Sequence, residues 1–191
     1  MTETIQDNPA TKEASVVDEE IELRPSTAAD LAAIEVLYRA AFPEEDLLPL
    51  IRRLLREREG VLSLVAVSAS GITGHLAFTR CTVEPGGGTV ALLGPLCVAP
   101  AVQKQGIGSR LVRSGLEQLG NWKAEQVLVL GDPAYYGRFG FLPGSGISPP
   151  YPLPDNWAEA WQFLDLGTSK ARISGVLVVP PVWQDRALWT E

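Results

Sequence analysis

Apolar residues along the chain fall into two periods, and the switches between them mark the elements. Residues 1–20, "MTETIQDNPATKEASVVDEE", show neither period and read as a polar, poorly ordered tail. "IELRPST" then suggests a short strand ending at Pro25. In "STAADLAAIEVLYRAAF", Leu31, Ile34, Leu37 and Tyr38 share one helical face, with Thr27 and Asp30 at capping-box spacing. "PEEDLLPLIRRLLRERE" gives a second helical pattern, interrupted near Pro49 and closed by Gly60. Three strand-like runs follow, "VLSLVAVSA", "ITGHLAFTRCTV" and "TVALLGPLCV", joined by the turns "SGIT" and "EPGGGT". A helix is expected from Gly108 to about Leu119, then a short buried strand in "AEQVLVLG" and a brief helix in "PAYYGRF". After the proline-rich "PPYPLP", the runs "AWQFLDL" and "SGVLVV" predict two more strands.

The order β-α-α-β-β-β-α-β-α-β-β contains antiparallel hairpins followed by a β-α-β crossover. That combination predicts an α/β (α+β) fold whose mixed, mostly antiparallel sheet is flanked by helices. One domain is expected over residues 21–191, behind the tail of residues 1–20. No internal repeat is visible.

Composition narrows the function classes. Hydrophobic residues make up 46% of the chain, enough for a buried core. Of the net charge of −7, −5 sits in residues 1–20, which leaves −2 for the rest. No basic stripe points to nucleic acid, and no apolar run is long enough to span a bilayer. The opening residues lack the basic start and apolar run of a secretory leader, so a cytoplasmic location is expected. His75, Cys81 and Cys97 are too few for a closed zinc site, and the two cysteines read as buried small hydrophobes. No metal is expected.

The candidate chemistry begins at "VQKQGIGSRL", where Gly106 and Gly108 precede a helix. A helix N-terminus offers unpaired N–H donors and partial positive charge, which suits a phosphate. A P-loop would need Lys-Ser or Lys-Thr after the second glycine, and none follows. A dinucleotide fingerprint would need a third small residue where Leu111 stands. The remaining pattern is Q/R-x-x-G-x-G/A, filled by Gln103, Gly106 and Gly108. An ordinary tight strand-to-helix turn is the alternative.

A second segment supports the phosphate reading. "VLVLGDPAYYGRFGF" resembles the strand, short helix and aromatic-glycine-aromatic ending of GCN5-related N-acetyltransferases (GNAT). It is especially similar to a bacterial subgroup with an LGDPxYYxRFGF segment. The resemblance covers both motifs and the element order of residues 21–145, and becomes vague after Gly146. It implies a GNAT acyl-CoA N-acyltransferase fold and an enzyme that moves an acetyl group from acetyl-CoA to a primary amine of a small molecule or protein. Another acyl-CoA donor, or a non-catalytic CoA-binding module, are the alternatives.

Carried onto this chain, the resemblance implies that Leu96, Cys97 and Val98 offer main-chain groups to the pantetheine arm. Gln103, Lys104, Gln105, Gly106, Ile107, Gly108 and Ser109 would surround the pyrophosphate, with charge added by Lys104 and Arg110. Gly94-Pro95 fits a bulge in the fourth strand, because Pro95 has no N–H for a ladder. Tyr136, four residues before Gly140-Phe141, stands where the family places a tyrosine near the CoA sulfur. Its phenol would protonate the leaving thiolate. Tyr135 is expected in the core, and Asp132, where many relatives have asparagine, as the N-cap of the short helix.

The general base is open. The fourth strand has no Asp or Glu, where many relatives carry one. His75, Glu45 with its neighbours Glu44 and Asp46, and Glu84 are the weak candidates. Trp157, Trp161, Trp183 and Trp189 either wall an acceptor pocket, face a subunit in a homodimer, or form a late core layer.

Overall fold

The computed structural model describes residues 20–57, 59–167 and 173–190, so the tail of residues 1–19 lies outside the described residues. Strand β1 (Glu22–Pro25) runs antiparallel to β2 (Val61–Ser68). Between them the chain turns through Thr27–Asp30, and the expected capping box appears in its Asp30 half. Thr27 N–H donates to Asp30 Oδ2 at 2.7 Å, and Arg24 donates to both carboxylate oxygens at 2.8 Å each. The Arg24 guanidinium holds the Asp30 carboxyl well below the usual carboxylate range. Asp30 thereby fixes where α1 (Leu31–Ala41) starts.

Helix α2 (Leu48–Arg56) corrects one expectation: Pro49 does not interrupt it but lies in its first turn. There the missing N–H removes no helical bond, and the fixed φ suits the helix. Strands β3 (Gly71–Glu84) and β4 (Thr89–Val98) complete an antiparallel meander with β2. Helix α3 (Ile107–Gln118) then crosses over to β5 (Gln126–Leu130), which pairs parallel to β4. A one-turn helix, α4 (Pro133–Tyr136), follows.

The rest of the chain adds β6 (Leu142–Pro143), β7 (Ile147–Ser148), β8 (Trp161–Asp165) and β9 (Gly175–Val178). β8 extends the sheet beyond β5, while β9 pairs with the far end of β3. The central order is β1-β2-β3-β4-β5-β8-β6. β6 and β7 have two residues each, too short for any period to announce them.

Alternation along the strands divides the core between the two sheet faces. Leu76, Phe78, Leu93, Val127 and Val129 pack under α3 with Leu111 and Val112. On the opposite face, α1 covers Val65 and Cys97, while α2 and the C-terminal segment cover Leu92, Leu128 and Val83. Trp161, Trp183 and Trp189 belong to this second layer, with ring centroids 6.0–6.2 Å apart around Trp189. Trp157 stays half-buried outside it.

Candidate active site

The site starts from an irregularity in β4. Leu96 faces Leu76 across the ladder and Leu93 faces Phe78, so three steps on β4 match two on β3. The extra residue sits at Gly94-Pro95, the expected bulge, and it inverts the side-chain parity beyond it. Leu96 and Val98 therefore face the α3 side, while Cys97 faces α1. Pairing with β5 covers Val90–Leu93 and goes no further. Leu96–Val98 thus keep β3 on one edge and have no β5 partner on the other.

Below that open edge lies a groove of about 580 Å³. Ala41, Phe42, Leu96 and Val98 form one wall, Tyr135 and Arg138 the other, and the start of α3 its head. Gly106 adopts φ +84°, a left-handed turn that glycine enters without penalty, and caps α3. The N–H groups of Ile107, Gly108 and Ser109 have no acceptor within the helix, which leaves partial positive charge at the head of the groove. Lys104 lines the same end, also with a positive φ of 63°.

The residues expected around the cofactor separate into two sets. Leu96, Val98, Gln103, Lys104, Gly106, Ile107, Gly108 and Ser109 all line the groove, while Cys97 and Gln105 do not. The Cys97 thiol is buried against α1, 3.8 Å from the Leu37 carbonyl, and burial pushes it up to about 12. Gln103 turns back to donate to the Val98 carbonyl at 3.1 Å, which ties the loop to the end of β4. Arg110 donates instead to the Ile21 carbonyl at 2.7 Å, beside β1, and does not line the groove. Arg138, which the sequence did not single out, lines it. Arg138 lies 4.4 Å from the Tyr135 ring centroid and donates to the Tyr135 carbonyl at 2.9 Å.

The two tyrosines of α4 point to different spaces. Tyr135, expected in the core, is half-buried and lines the groove. Tyr136 packs edge-on against Phe141 and reaches a second cavity of about 260 Å³. Burial holds its phenol well above the ordinary value of 10, so it keeps its proton at neutral pH. Phe42 and Leu96 line both spaces, so groove and cavity adjoin there. The bulge residues Gly94 and Pro95 form the cavity floor, with Leu47, Leu50, Trp183, Leu188 and Trp189 around them and Glu45 as the charged side chain. Asp132 caps α4 as expected, accepting from Ala134 N–H at 2.8 Å.

Of the candidate bases, Glu45 alone reaches this region. His75 is sealed under α1, with Nδ1 2.8 Å from the Tyr38 hydroxyl and Nε2 2.9 Å from Ser63 Oγ. Burial lowers its pKa to about 3, which makes it a neutral structural histidine. Glu44 and Asp46 do not line the cavity but a cleft that adjoins it at Phe42, Glu45 and Leu47, where Asp46 accepts from the first turn of α2. Glu84 lies at the far end of β3, opposite Val176. Among the described residues, no helix is long and apolar enough to cross a membrane.

This arrangement is that of an acyl-CoA N-acyltransferase. The chain belongs to the acetyltransferase (GNAT) family, whose model matches residues 31–141. Among its relatives, the uncharacterized N-acetyltransferase YjhQ of Escherichia coli K12 is 33% identical over 157 residues, covering 78% of this chain and 85% of YjhQ. The crystal structure of Escherichia coli YhbS in complex with CoA superposes with a TM-score of 0.76 at 26% identity, over 93% of this chain and 95% of YhbS. A GNAT acetyltransferase from Brucella melitensis, solved with acetyl-CoA, gives a TM-score of 0.68 at 28% identity, over 86% and 98% of the two chains. The protein is therefore an acyltransferase enzyme.

Proposed function

We propose that the chain transfers an acetyl group from acetyl-CoA to a primary amine of a small molecule or protein, by direct attack in a ternary complex. The observation that carries this reading is the pair of spaces meeting at Phe42 and Leu96, one with a phosphate-binding head and one reached by Tyr136. The groove suits CoA chemically. Its head offers main-chain N–H donors with Lys104, one wall adds Arg138, and the other offers the unpaired edge of β4. A cytoplasmic location goes with that donor.

In the proposed step the lone pair of a neutral amine attacks the thioester carbonyl carbon. A C–N bond forms and the C–S bond breaks. Tyr136 donates its proton to the departing sulfur and regains one as the nitrogen loses its own, so amide and free thiol are the products. Glu45, exposed at the cavity wall, attracts the protonated amine before it sheds a proton to water. The test is a panel of acyl-CoAs and amines read by thiol release, with acetyl-CoA affinity measured by calorimetry. Turnover with acetyl-CoA and a primary amine is expected. Binding without turnover on any amine would overturn the reading, and preference for a longer acyl chain would correct the donor.

A further inference from the structure

Apart from the main chain of the bulge, the side chains of the cavity wall offer little polar chemistry. The Trp183 indole N–H donates to Thr79 Oγ1 at 2.9 Å, and that of Trp189 to the Trp183 carbonyl at 3.0 Å. Both rings therefore turn carbon toward the space and keep their donors elsewhere. Pro95 has no N–H, and its carbonyl already faces the Tyr38 hydroxyl at 3.4 Å. What remains among the described lining side chains is one carboxylate, Glu45, and one phenol, Tyr136.

Such a wall discriminates by chemistry. An acceptor hydroxyl or second ammonium entering it would lose its water partners and find few replacements, which lowers affinity roughly ten-fold or more per group. Each methylene entering it would gain about four-fold. The volume of about 260 Å³ falls just below the roughly 300–1,000 Å³ typical of sites for drug-sized ligands, which suits a small acceptor body.

We infer that the acceptor is a small hydrophobic monoamine, with its apolar body against Trp183, Trp189 and Leu188 and its ammonium drawn by Glu45. This rests on the acetyl-transfer reading above and adds the substrate class. The wall disfavours amino sugars for their hydroxyls and polyamines for any additional charge that enters it, and a second ammonium that stays outside in the acidic cleft of Glu44 and Asp46 is the competing outcome the spermidine measurement decides.

The experiment measures kcat/KM by thiol release for straight-chain primary amines from ethylamine to hexylamine, with glucosamine and spermidine alongside. Basicity is nearly constant along the alkyl series, so its slope reports burial. A rise of about four-fold per methylene to a maximum is expected, with glucosamine and spermidine at least ten-fold below that maximum. Leu188→Ala should move the maximum to longer chains and Leu188→Phe to shorter ones. A flat alkyl profile, preference for spermidine or glucosamine, or a maximum unmoved in both variants overturns the acceptor class and leaves acetyl transfer standing. Absence of thiol release with every amine, while calorimetry still detects acetyl-CoA, overturns the reading beneath it.

Discussion

The Tyr135 hydroxyl lies 2.5 Å from the point where a β-carbon on Gly108 would stand. The two glycines of the loop are thus required for different reasons. Gly106 has open space around that position but a left-handed backbone, whereas Gly108 is helical and makes room for a phenol. Gly108→Ala should weaken acetyl-CoA binding at least ten-fold by displacing Tyr135 from the groove wall. Adding Tyr135→Phe should recover part of that loss, because the clashing oxygen is gone. Gly106→Ala should instead cost about 1–2 kcal/mol of stability, with partial rescue by Gly106→Asn, since asparagine tolerates this conformation better. Calorimetry and thermal unfolding of the four variants separate the two effects.

Neighbouring tyrosines should separate binding from turnover. Tyr136→Phe keeps the ring against Phe141 and should hold acetyl-CoA affinity within a few-fold, while kcat falls roughly 10²–10⁴-fold. Tyr135→Phe should do the reverse, with a few-fold loss of affinity and nearly unchanged kcat. Equal effects of the two would remove Tyr136 from the proton path.

His75 should report on acid stability. Its folded pKa of about 3 lies below its ordinary 6.5, so the unfolded chain binds the proton first. The stability from keeping it neutral is complete above about pH 6.5 and is lost as pH falls toward 3, on the order of 5 kcal/mol at the limit. Asp30 contributes in the same direction only below its ordinary value of 3.8. Between pH 6.5 and 5 the denaturant midpoint should therefore fall in the wild type. His75→Gln, less stable at every pH, should show little slope there.

Glu45→Gln should raise KM for the amine several-fold and leave KM for acetyl-CoA unchanged. Because Glu45 is exposed, the difference should shrink as salt is raised from 50 to 500 mM. A salt-independent effect would indicate a direct hydrogen bond instead of attraction at a distance.

Much of this site was legible because its determinants are local. Gly106 marks a left-handed turn, Pro95 breaks a ladder, and the short unbroken apolar run in "VLVLG" marks β5 as a buried strand. The misreadings arose where the answer depends on distant chain. Adjacent positions in a one-turn helix carry no period, so nothing local tells Tyr135 from Tyr136. Trp183 is held by Thr79, 104 residues away. Arg110 and Arg138 are both basic residues beside the motifs, and only the approach of Ile21 to α3 decides which one reaches the groove. His75 looked available as a base because α1, which seals it, is encoded 34 residues or more upstream.

The bulge at Gly94-Pro95 also sets how this gene can vary. Most strand positions tolerate exchange of one side chain for another, but here the count of residues carries the information. Losing a single codon would leave β4 intact as hydrogen-bonded backbone while inverting everything after it. Cys97 would then turn into the groove, and Leu96 and Val98 would press against α1. Length variation should therefore be purged at this point even while the surrounding amino acids drift.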